Sequence, residues 1–481
     1  MKTLPQFAPT IHCLLLLSIF LHTNSHQVIA ITQELLKGFS ATPQHSISSF
    51  QSLLTDPTSN FSFGFLRVNQ SSLTLAILHL PSSEPIWIAN TSNSVSWSKH
   101  TQLSFNGDLI LSDTRTQNLF WSTRSNGDSL ILLNNSNLQV LDESQSVVWQ
   151  SFDFPSDTFM SQQNFTAKMS LISSNGLYSM RLGDDYIGLY ELDSKQIYWK
   201  HKAMQAKAQI VEGNGPIHLQ ISSDGYLGAY QTETAPVDVV PFDTFQSKSP
   251  GIRRLKLESN GNLKGYYWNG SDWSTDYTAI TKECELPNSC GFYGLCQPGK
   301  PCECIDNKTE HHSGECSPPV TGNFCSGKPD FRNGFSVVRR NGVELVHKEW
   351  MEFEQMGSLQ ECQGSCEKNC SCWGTVYNNA SGYCYMIDYP IHTLLGVGDE
   401  RKMGYFKVRK VAKKKRNVGY AIGIGVLVSV FVVFVAMAAY GAYRIWKRNN
   451  GVNKLMEEGV SPGSYRGLSS ESFRSVELTK G

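Results

Sequence analysis

The residues in this chain best suited to chemistry are its cysteines. Thirteen occur, and all but Cys13 fall between Cys284 and Cys384. Thiols at this density either ligate a metal or pair with one another. Six of them, Cys284 to Cys316, lie in a 33-residue stretch too small to bury the apolar surface it needs to fold unaided. The absence of paired C-x2-C knuckles favours disulfides over zinc. Cys302 and Cys304 flank a single residue, point to opposite sides and must pair elsewhere. The second set is Cys325, Cys362, Cys366, Cys370, Cys372 and Cys384. Cys362 and Cys366 are four residues apart, on one face of a predicted helix that would be stapled to the strands carrying Cys372 and Cys384. Each set of six allows 15 connectivities from sequence alone.

Two other residue classes invite modification. Asn-x-Ser/Thr acceptors occur at Asn60, Asn69, Asn90, Asn134, Asn164, Asn269, Asn307, Asn369 and Asn379. Near the C-terminus, "SYRGL" and "SFRSV" place Ser464, Ser472 and Ser475 beside arginines, a pattern suited to phosphorylation. Catalytic chemistry is not indicated. No metal-ligand set, nucleophile motif or carboxylate pair stands out, and the Val-Ala-Ile-Lys, His-Arg-Asp and Asp-Phe-Gly elements of a kinase do not occur. The expectation is a non-enzyme without a cofactor. A formal net charge of zero gives no general case for nucleic-acid binding.

The elements that carry these groups read as mainly β. From about residue 46 to 280 short alternating stretches such as "LSFNGDLILSD", "LILLNNSNLQVLD" and "LKLESNGNLKGYYW" are separated by Asn, Asp, Gly and Ser turns. Trp87, Trp121 and Trp149 follow apolar residues in "PIWIAN", "LFWSTR" and "VVWQSF", at spacings of 34 and 28. A period near 30 predicts three units around a shared centre.

Tyr420 to Tyr443 contain no charge, enough for a helix across a bilayer, with basic residues on both flanks. "IHCLLLLSIFLH" near the N-terminus reads as a signal peptide, cleaved after Ser25 or Ala30. The basic run from Arg401 to Arg416 argues for the opposite orientation by the positive-inside rule. The cysteines and sequons, all on the N-terminal side, decide for a large extracellular part. The first half of that run reads as a last strand with solvated lysines. Gly419 with Gly423, and Gly425 with Ser429, are small-x-x-x-small pairs that let helices pack closely.

Together these strings resemble a known family. "SLLTDPTSNFSFGFL", "IWIAN" and "VVWQSFDFPSDTF" are similar to the bulb-type (G-type) lectin domain of plant S-locus glycoproteins and their receptor-like kinases. "LKLESNGNLKGYYWNGSDW" followed by "CGFYGLC" resembles the S-locus region running into an EGF-like module, and "CQGSCEKNCSCWGTVYN" a PAN/apple module. The resemblance covers the whole ectodomain and is to kinase-less members carrying a PAN domain. It implies tandem bulb-lectin β-prism domains, then EGF-like and PAN (α+β) modules and one transmembrane helix. The implied segments are 1–25 signal peptide, 45–165 lectin, 166–280 second lectin-like domain, 281–320 EGF-like, 325–409 PAN, 418–443 membrane helix and 444–481 cytoplasmic tail. It also implies the pairs Cys284–Cys296, Cys290–Cys302, Cys304–Cys316, Cys325–Cys370, Cys362–Cys384 and Cys366–Cys372. The residues before Cys284 lack the acidic pattern of calcium-binding EGF modules, so no calcium is expected there.

Mannose-binding members use Gln-x-Asp-x-Asn-x-Val-x-Tyr, read as one strand whose alternation puts five side chains on one face. Here the first aligned positions are Ser104, Asn106, Asp108, Ile110 and Ser112. The second are Leu133, Asn135, Asn137, Gln139 and Leu141. Neither keeps the Gln or the Tyr, which argues against mannose binding by this mode. The expected function is a plasma-membrane, single-pass receptor-like glycoprotein recognising an extracellular protein or glycan. It would act as co-receptor or decoy with a receptor kinase, or as a homodimer through its helix. The alternative is an adhesive carbohydrate-binding protein without a signalling role.

Overall fold

The computed structural model describes residues 34–91, 94–183, 186–192, 196–201, 218–231, 235–247, 251–305, 310–312, 315–317, 324–326, 335–388, 391–409 and 418–456. The signal peptide, Asn307 and the tail serines Ser464, Ser472 and Ser475 lie outside them.

Alternation builds the first β-prism. In the hairpin Thr101–Phe105/Leu109–Asp113, Leu103, Phe105, Leu109 and Leu111 are fully buried while the intervening residues face outward. Three such sheets close around one core. The first holds Phe50–Thr55, Phe61–Arg67, Ser72–His79 and Glu84–Ile88, with Val95–Ser96 beside it. The second holds Phe39–Ala41, Thr101–Phe105, Leu109–Asp113 and Leu119–Ser122. The third holds Glu34–Leu36, Ser129–Leu132, Leu138–Leu141 and Val147–Gln150. The last full strand of each sheet carries one of the three tryptophans. Their rings meet edge to face at 5.9, 6.3 and 5.9 Å between centroids, the shared centre that the spacing predicts.

A second prism repeats the plan. Its sheets are Thr158–Met160/Arg253–Leu257/Leu263–Trp268/Trp273–Thr278, Phe165–Thr166/His218–Ser222/Tyr226–Tyr230/Pro236–Pro241 and Ser170–Ile172/Tyr178–Leu182/Ile187–Glu191/Ile197–His201. The expected borders at 45 and 166 shift. Glu34–Leu36 and Phe39–Ala41 complete sheets of the first prism, and Thr158–Met160 opens the second. Three-residue edge strands are too short to show alternation; partners distant in sequence recruit them.

The cysteine-rich segments share one core. Gly294–Cys296 runs parallel to Leu394–Gly396, in one sheet with Glu303–Cys304 and Val343–Leu345. Buried Tyr293, Leu295 and Ile305 pack with Trp373, Ile391 and Phe406. The expected separate EGF-like and PAN modules are thus joined through hydrogen bonds and apolar packing. Helix α1, Leu359–Lys368, starts at Ser358, whose hydroxyl accepts from the Glu361 N–H. Its C-terminal end is held by Lys407, whose ammonium donates to the carbonyls of Cys366 (2.7 Å) and Asn369 (2.9 Å). Lys407 is fully buried, correcting the expectation of solvated lysines on this strand, and burial lowers its pKa to about 8.

Helix α2, Val418–Met456, forms a separate unit. Its stretch Gly425–Arg448 is long and apolar enough to cross a bilayer.

Candidate functional site

The aligned sugar positions of the first prism do not lie on one strand. Ser104 faces Ile110 across a hairpin, and Asn106, Gly107 and Asp108 form its turn. Gly107 has φ +97°, the left-handed backbone that glycine adopts without cost. The second set likewise spans a hairpin: Ile131 faces Gln139, and residues 133–137 turn. The one-strand reading fails because the turn reverses the chain around the second and third positions, so the fourth and fifth lie on the returning strand.

The polar groups of these turns are engaged inside the fold. Asp108 accepts from the Ser122 and Thr123 hydroxyls at 2.6 and 2.7 Å, fastening the turn to the next strand. Asn137, only 4% exposed, donates to Gln150 Oε1 at 2.9 Å and accepts from the Phe152 N–H at 3.3 Å. Gln139 donates to the same Gln150 oxygen, and Asn135 bonds Gln162 and the Asn137 N–H. Leu141 is buried. Asn262 in the second prism repeats the clasp: it donates to the Ile280 carbonyl and accepts from its N–H. Asp108, Asn137 and Asn262 therefore do the same work, closing a hairpin onto the strand that follows.

The twelve cysteines are paired Cys284–Cys296, Cys290–Cys302, Cys304–Cys316, Cys325–Cys370, Cys362–Cys384 and Cys366–Cys372. Cys362 and Cys366 fasten α1 to the two strands beneath it.

Family models match in chain order: D-mannose binding lectin over residues 85–181, S-locus glycoprotein domain over 224–309 and PAN domain over 334–407. Over 480 residues the chain is 49% identical to a PAN domain-containing protein of Arabidopsis thaliana, with 97% of each covered. The chain belongs to that PAN domain-containing family. It is also 25% identical over 468 residues to a G-type lectin S-receptor-like serine/threonine-protein kinase of the same plant, covering 93% of the chain and 56% of the kinase. A second such kinase is 26% identical over 455 residues, with 55% of it covered. The chain spans about half the length of these kinases.

This family member carries its sequons on turns and strand ends. Asn69, Asn90, Asn134, Asn164, Asn269, Asn369 and Asn379 are exposed, and Asn60 is half-buried. The junction between its prisms is gripped by groups that sequence reasoning missed. His79 of the first prism sits among Phe61, Trp268 and Trp273, at 5.4, 4.6 and 5.0 Å between ring centroids. Its Nδ1 and the Nε1–H of Trp273 both bond the Ser82 hydroxyl, at 2.9 and 3.1 Å. Arg254 pairs with Glu84 across the junction and lies 4.1 Å over the Trp273 ring. Burial, reinforced by the Arg254 cation, lowers the His79 pKa to about 4. At the other end of the second prism, His392 Nε2 lies 3.1 Å from Glu191 Oε2, bordering a cavity of about 60 Å³. The available signal for these contacts was weak: "HLPSSEP" and "YYWNGSDW" are unusual only in their density of aromatic and ionic groups.

Proposed function

We propose that the chain is a non-enzymatic receptor-like glycoprotein of the plasma membrane that recognises an extracellular protein or glycan. It acts with a separate signalling receptor, as co-receptor or decoy. The observation carrying this reading is the linked set of lectin-type and PAN-type recognition modules in a chain with one bilayer-length apolar helix among its described residues. Mannose recognition through the first prism's hairpins is disfavoured, because Asp108 and Asn137 spend their oxygens on the fold. Self-association through Gly419 and Gly423 of α2 is a second route to a signalling partner. Cross-linking the intact protein in its native membrane, then identifying what is captured, tests the receptor reading: a receptor kinase or a second copy supports it, and capture of neither refutes it. The D-mannose binding lectin match favours a second reading, a carbohydrate-binding adhesive protein. Under it, shortening the cytoplasmic tail leaves adhesion unchanged.

A further inference from the structure

The second prism has an outer face that its architecture does not require. Along Ile187–Glu191, Ile187 and Leu189 enter the core, so Gly188 and Tyr190 face outward. Gly188 stands in register between Arg181 on one neighbouring strand and Lys200 on the other. A Cβ at Gly188 would lie 2.8 Å from the Tyr190 ring, so the missing side chain lets that ring lie flat on the sheet. Tyr190 and Tyr186 bond through their hydroxyls at 2.8 Å. The cations lie over these rings, Arg181 at 5.7 Å from Tyr190 and Lys200 at 3.5 Å from Tyr186. Lys200 is also 5.8 Å from the exposed ring of Trp350.

A sister sheet separates structure from function. Gly228 and Tyr230 repeat the ring-over-glycine arrangement, with a Cβ again blocked by the ring at 2.6 Å. There the residues flanking the glycine are Gln220 and Val239. The fold thus builds this platform without charge, and the two cations beside Gly188 are an addition.

We propose that this face binds an acidic oligosaccharide, its carboxylates on Arg181 and Lys200 and its ring faces on Tyr186, Tyr190 and Trp350. Guanidinium and ammonium groups pair with carboxylates, and aromatic faces suit the apolar C–H faces of pyranose rings better than they suit a flexible anion. Asp184 and Asp185 lie outside the described residues. The inference rests on the receptor reading above and assigns it a ligand class and a location.

The test uses the full chain in detergent and a short oligogalacturonate as probe. Its methyl-esterified form and a polyglutamate peptide serve as controls. The expected result is saturable oligogalacturonate binding, weakened at least about tenfold by Arg181→Gln, by Lys200→Gln and by esterification. Tyr186→Ala weakens it as well, and polyglutamate binds no more than marginally. Binding of polyglutamate as tightly as the sugar overturns the proposal, since charge alone would then explain the site. So does unchanged affinity in Lys200→Gln with a lowered unfolding temperature, which would make Lys200 a structural clasp to Trp350. Absence of oligogalacturonate binding, alongside capture of a receptor partner in native membranes, removes this inference and leaves the receptor reading standing.

Discussion

Replacing Asn137 by alanine separates the two roles its position could have. Its amide is 4% exposed, donates to Gln150 and accepts the Phe152 N–H. Alanine leaves the buried Phe152 N–H without a partner, at a cost of about 1–3 kcal/mol, and removes a second hydrogen bond worth about 1 kcal/mol. A total near 3 kcal/mol corresponds to a fall of roughly 10 °C in unfolding temperature for a domain of this size. Asn135→Ala, at a less buried position whose amide bonds Gln162, costs under about 1 kcal/mol. The assay is thermal unfolding of the full chain in detergent, paired with a glycan array. A clasp predicts a large loss of stability in Asn137→Ala with an unchanged glycan profile. Unchanged stability together with loss of a bound sugar refutes the reasoning and returns Asn137 to the ligand set.

Acidification tests the grip between the prisms. The His79 pKa is about 4 in the fold, against 6.5 ordinarily, so the folded ring stays neutral where the unfolded chain takes a proton. Its contribution is fully present above pH 6.5 and is lost as pH falls toward 4, up to about 3 kcal/mol. His79→Gln flattens the unfolding temperature across that window; an unchanged pH slope contradicts the assignment. Among the disulfides, Cys325–Cys370 closes a 45-residue separation and Cys366–Cys372 a separation of 6. Serine pairs at these sites should cost about 4 and about 2 kcal/mol respectively, measured by denaturant unfolding. In the membrane helix, Gly423→Ile should abolish self-association in a membrane reporter, and undiminished association removes the helix-packing proposal.

The β class, the tryptophan centre and the order of modules were legible because each rests on a local pattern. Alternation fixes Leu103, Phe105, Leu109 and Leu111 inward, and three tryptophans in like contexts can meet only at an axis. The sugar positions were misread for an equally local reason. "NGD" is a turn signal, and giving it weight would have placed Ser104 opposite Ile110. What stayed hidden depends on partners far apart in sequence. The parallel pairing of Gly294–Cys296 with Leu394–Gly396 has no signature in either segment, and neither does the burial of Lys407 under α1. The cations flanking Gly188 were equally invisible, because only strand register makes Arg181 and Lys200 neighbours.

The measurement closest to the central claim is protease treatment of intact cells carrying the protein with a tag after residue 481. A recognition apparatus outside the cell predicts that both prisms and the disulfide-linked modules are digested, leaving a small tagged fragment that contains α2. Survival of the prisms in sealed cells, with cysteines that react as free thiols, would contradict the account.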